Sequence, residues 1–181
     1  MTPTAVVRRG AALSRCGTYR YALWREWDGG APTVLFIGLN PSTADRRRDD
    51  PTIRRCIRFA RDWGFGRLTV ANLFALRATD PRVVMRAAAP VGPRNDRWLH
   101  RLSREASLVV VAWGVHGSHR GRDAEVLRML PPPTCLGVTR GGAPLHPLYV
   151  RADARPVDLT LRVPLPAPAP RALLWQDTGV R

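Results

Sequence analysis

Four short apolar runs punctuate the chain, near 34–38, 68–71, 108–113 and 134–138, each rich in Val, Ile, Leu or Phe. Each is too short for a helix and breaks at Gly, Asn or a polar loop, which is how a buried strand ends. Helical spacing lies between them. Ile53, Cys56, Ile57 and Ala60 follow Asp50-Pro51, a capping residue and a first-turn proline, so a helix is expected to run to Trp63 and stop at Gly64-Phe65-Gly66. Trp98, Leu99, Leu102 and Ala106 repeat the pattern behind a cap at Asn95 or Asp96, and a further helix, about 123–130, closes at three prolines. Strands alternating with helices predict an α/β fold: three α/β/α layers around a central, mainly parallel, four-stranded sheet. Ahead of it, the aromatic, partly alternating stretch 19–27 and the turn Asp28-Gly29-Gly30 predict an N-terminal hairpin with the strand at 34. Residues 1–18 read as a basic lead-in, 19–152 as one domain, and 153–181, with prolines at 156, 164, 166, 168 and 170, as an extended tail.

Charge changes the picture most. The net charge is +15, and all 29 basic residues are arginine. Such a surface suits a polyanion, and DNA, double- or single-stranded, is the expected partner. Without lysine, Schiff-base chemistry at a lysine and a P-loop lysine are both excluded. The three cysteines, Cys16, Cys56 and Cys135, spell no disulfide framework and no paired zinc or cluster motif, so reduced thiols in a cytoplasmic monomer are expected. No run approaches a membrane span.

Candidate chemistry gathers where the strands end, as it does in open α/β sheets. After the first strand come Gly38-Leu39-Asn40-Pro41-Ser42-Thr43-Ala44-Asp45. Gly38 permits close backbone approach, Pro41 fixes the loop, and Asn40 offers an uncharged amide able to orient a water or a substrate edge. The second strand ends on Asn72, which suggests a polar pocket rim. Arg46, Arg47 and Arg48 leave the first strand's loop and would meet phosphates. After the last strand, the loop from Arg140 to Tyr149 carries one histidine, His146.

In their order, Gly38-Leu39-Asn40-Pro41-Ser42, Asn72, the run 109–114 and His146-Pro147 are similar to the motifs of the uracil-DNA glycosylase superfamily. They also resemble the DUF1643 family, placed within or beside it. The resemblance covers roughly 34–150 and implies a uracil-DNA glycosylase-like fold and a monofunctional DNA glycosylase that leaves an abasic site, in repair or anti-phage defence. It implies that Asn40 positions the attacking water and that His146 stabilises the departing base. Asn72, with Gly38 and Ser42, would hold the flipped base; Asp45 would support catalysis; Arg46, Arg47, Arg48, Arg140 and Tyr149 would contact DNA. Leu148-Tyr149 stands where the motif usually has a small residue, and no cofactor or metal is implied.

Two other readings compete. A metal-dependent nuclease or hydrolase would draw on Asp45, Asp49, Asp50, His116, His119 and Asp123. A non-catalytic basic module would bind nucleic acid through charge alone.

Overall fold

The computed structural model describes residues 5–6 and 8–159. Seven strands form one mixed sheet: β1 (Arg8–Leu13), β2 (Arg20–Glu26), β3 (Thr33–Gly38), β4 (Arg67–Asn72), β5 (Leu108–Val111), β6 (Thr134–Cys135) and β7 (Val157–Asp158). They lie in the order β1-β2-β4-β3-β5-β6-β7. The central four, β4, β3, β5 and β6, are parallel; β1, β2 and β7 are antiparallel additions. The four expected strands are therefore the centre of a wider sheet.

The apolar alternation of the strands assigns the faces. Val34, Phe36, Leu68, Val70, Val110 and Ala112 pack with Ile53, Cys56, Phe59 and Ala60 of helix α1 (Pro51–Asp62). Leu35, Ile37, Ala71, Val109 and Val111 face the other way. There they meet Val84 of α2 (Pro81–Arg86), Leu99 and Leu102 of α3 (Asn95–Glu105), and Val126 of α4 (Arg122–Leu127). Strands buried on both faces read as continuous apolar runs because neither side meets water.

Several expectations need correction. The hairpin partner of 20–26 is β1, inside the supposed lead-in, and β2 also pairs antiparallel with β4 rather than with β3. Gly66 keeps the 28–30 turn from closing a β2–β3 hairpin: its carbonyl accepts from the backbone N–H groups of Trp27 and Asp28. Part of the supposed tail is strand β7, which pairs with β6; residues 160–181 lie outside the described residues. α1 is capped as expected, Asp50 accepting from the Ile53 N–H at 2.8 Å. α3 has no side-chain cap, because Asn95 turns inward and Asp96 is taken by Arg122. α2 behind Asp80-Pro81 was not anticipated; its cap and first-turn proline carry the same signature as Asp50-Pro51.

Candidate active site

From β3 the chain passes through α1 to β4 on one side, then through α2 and α3 to β5 on the other. Connections leaving a central strand in opposite directions open a crevice at the strands' carboxyl ends. A cavity of about 520 Å³ lies there, on the α1 side. The strand alternation builds it: Phe36 and Gly38, Val70 and Asn72, Ala112 and Gly114 all line it, continuing the positions that face α1. Where the strands end, small residues replace large ones and leave space. Gly38 has no positive φ, so its backbone would accept any residue; a Cβ, however, would stand 3.0 Å from Asn72 Oδ1.

Asn40, Asn72 and His146 all line this cavity, with Ser42 and Tyr149. Asn40 is held hard. Its Nδ2 donates to the Ala78 carbonyl at 2.7 Å and to the Pro41 carbonyl at 3.0 Å, which uses both amide hydrogens. Oδ1 remains as an acceptor, suited to orienting a water and unable to deprotonate one. The loops after β3 and β4 are also stitched by backbone bonds from Leu73 to Gly38, Phe74 to Leu39 and Ala78 to Pro41.

Asn72 is 4 % exposed, and its Nδ2 has no hydrogen-bond partner among the described residues. A buried donor left unpaired costs on the order of 1–3 kcal/mol, which a ligand acceptor would recover. The end of β4 is fixed from behind by Asn95, whose Nδ2 donates to the carbonyls of Asn72 and Leu73, both at 2.9 Å. His146 accepts at Nδ1 from the Leu148 N–H at 3.3 Å. The neutral ring then carries its proton on Nε2, a donor. Burial lowers this imidazole from its ordinary range, with the Asp50 carboxylate opposing.

Asp45, Arg46, Arg47, Arg48 and Arg140 lie outside the cavity lining, whereas Asp50 and His116 belong to it. Asp45 organises its own loop: Oδ1 accepts from the Arg47 and Arg48 N–H groups at 2.7 and 2.8 Å, and those bonds lower its carboxyl from the usual range. Arg46, Arg47 and Arg48 are exposed along that loop, and Arg140 is exposed in the turn from Thr139 to Gly142. The acids and histidines of a metal site are engaged separately. Asp49 pairs with Arg25, Asp50 caps α1, Asp123 accepts from the Ala124 N–H, and His119 meets the ring of Phe74 edge-on. His116 lines the cavity. Among the described residues, no three His, Cys, Asp or Glu side chains are grouped to share an ion.

Two lining residues carry charge that the motif pattern did not reveal. One is Asp50, legible in the sequence as a helix cap and as a candidate ligand of the metal-site reading, but not through the motifs. The other is Arg20, 2 % exposed, with Nη1 on the Ala44 carbonyl at 2.6 Å and Nε without a partner among the described residues. Burial pulls its guanidinium down to about 10, again with Asp50 opposing. A bulge puts Arg20 there. Register runs Ala12↔Ala22 then Leu13↔Arg20, so Tyr21 is an extra residue. Ala22 faces the α3 side, and regular alternation would send Arg20 the same way; the bulge turns it toward α1.

A family model described as "Protein of unknown function (DUF1643)" matches residues 20–148, a span that includes Arg20, Asp50 and the three cavity residues Asn40, Asn72 and His146. No curated protein and no solved structure matches the chain.

Proposed function

The chain belongs to the DUF1643 family, and from that premise we propose that it is a monofunctional DNA glycosylase with a uracil-DNA glycosylase-like α/β/α core. The observation that carries this reading is the meeting of Asn40, Asn72 and His146 in one cavity at the carboxyl ends of parallel strands. The core assignment draws support from the parallel centre of the sheet, with α1 on one face and α3 and α4 on the other.

Each residue has a part in breaking an N-glycosidic bond. The base must leave the stack, negative charge must be stabilised on it as it departs, and water must reach the sugar carbon. Asn72 Nδ2 donates to an acceptor on the flipped base, satisfying the hydrogen bond it lacks. His146, neutral with its proton on Nε2, donates to an oxygen of the departing base. Asn40 Oδ1 holds the water. With no lysine in the chain, the abasic sugar forms no lysine Schiff base and the strand stays intact. The arginines of 46–48 and Arg140 supply phosphate contacts.

The test is to incubate the protein with duplex and single-stranded DNA carrying canonical, deaminated, methylated or glucosylated bases and to assay free base by chromatography. Release of one base class is expected. Binding without release from any substrate would favour the non-catalytic module.

A further inference from the structure

Asn40 orients a water but has no basicity, and Asp45, the acid nearest to it in the motif, is spent on its own loop. Some other group must receive the water's proton and face the positive charge that grows on the sugar. Among the described residues lining the cavity, the titratable ones are Arg20, Asp50, Cys56, His116, His146 and Tyr149. Asp50 is the one carboxylate.

Its position is fixed by α1. Oδ1 accepts from the Ile53 N–H at 2.8 Å, and Pro51 sets the first turn, so the carboxylate is tied to a helix that itself packs on the sheet. A carboxylate has about four lone-pair sites, and the cap occupies one. Asp50 also acts electrostatically on both flanking groups, favouring the charged forms of Arg20 and His146. It makes no ion pair within 4.0 Å with any described residue, whereas Asp49 beside it pairs with Arg25 at 2.7 Å. Its charge is therefore open to a cavity occupant.

We propose that Asp50 is a catalytic residue of the cavity, its carboxylate accepting the proton of the Asn40-held water and stabilising a cationic sugar; this rests on the glycosylase reading. The step balances without a redox partner. The water oxygen bonds to C1′ as the C1′–N bond breaks, and the bond pair leaves with the base. The water proton passes to Asp50 and on to solvent. His146 and Asn72 hold the negative end of the transition state, and Asp50 the positive end. Arg20, fastened to the Ala44 carbonyl, lines the same cavity.

The bland alternative is a capping residue that happens to border a cavity. Asp50→Asn and Asp50→Ser separate the two, because Asn and Ser cap helices about as well as Asp. The probes are two oligonucleotide duplexes, one with a pyrrolidine abasic analogue, cationic at neutral pH, the other with its neutral tetrahydrofuran counterpart. Wild-type protein should bind the cationic duplex more tightly by at least about 10-fold, since analogues of the transition state gain that much or more. Both variants should melt like wild type, bind the neutral duplex equally well and lose the preference. A preference that survives in Asp50→Asn overturns the assignment, as does a wild-type protein that binds both duplexes equally or neither. Base release is measured separately. A wild type that releases no base yet shows a preference dependent on Asp50 would overturn the glycosylase reading while leaving the cation site standing.

Discussion

His146 accepts from a backbone N–H, and burial holds its imidazole below the ordinary range. A group depressed in this way contributes stability that is complete above its unfolded value, about 6.5, and that is lost as pH falls through the folded value. Protonation also removes the Nδ1 lone pair that Leu148 uses. Thermal melting should therefore decline from pH 7 to pH 5 more steeply in wild type than in His146→Ala; parallel curves would show that His146 is not depressed. Gly38→Ala tests a second residue. The added methyl meets Asn72 Oδ1 while leaving the backbone unstrained, so the fold should hold and ligand affinity or turnover should drop by roughly 10-fold or more, as small misplacements in a site do. Asn40, Asn72 and His146 were legible because each follows a readable strand or a punctuated loop. Arg20 was hidden by a bulge, which no periodicity records. Asp50 was legible as a cap and as a candidate metal ligand, but its capping role gave no sign that it faces the same cavity as Asn40 and His146.

At the scale of elements, the loop between β3 and α1 is held by arginines of β2. Arg25 is fully buried; its Nε donates to Asp49 Oδ1 at 2.8 Å, and Nη2 donates to the carbonyls of Asp45 and Arg48 at 2.7 and 3.3 Å. Removing Arg25 leaves the partly exposed Asp49 and two loop carbonyls without their donor, and a hydrogen bond to a charged group contributes about 1.5–3 kcal/mol. Arg25→Ala should accordingly lower the urea midpoint of unfolding, whereas Arg46→Ala, at an exposed position, should leave it nearly unchanged. The parallel strands were readable because burial on both faces makes them uniformly apolar. The edge strands were not: β1 is Arg-Arg-Gly-Ala-Ala-Leu, half exposed, and β7 is two residues long. β1 pairs with its neighbour β2, but its charged, half-exposed sequence carries no apolar run, and β7 pairs with β6 across a long gap that local pattern does not encode.

For the whole molecule, the net charge of +15 governs encounter with a polyanion. DNA binding should weaken steeply with salt, log K falling by about 0.9 per phosphate contact for each log unit of salt. Replacing Arg46, Arg47 and Arg48 by Ala should flatten that slope by about 2.7 if each meets a phosphate; an unchanged slope would move the DNA face elsewhere. No helix among the described residues is long and apolar enough to cross a membrane. Charge alone, however, supplies affinity and no chemistry. The most direct measurement is the yield of abasic aldehydes in the modified-base DNA panel, read with an aldehyde-reactive probe for wild type and Asn40→Ala and paired with borohydride trapping. Wild type should leave aldehydes on intact strands, Asn40→Ala should lower their yield by about 10²-fold or more, and borohydride should trap no protein–DNA adduct. No aldehyde from any substrate, an undiminished yield from Asn40→Ala, or a covalent adduct would contradict the glycosylase reading.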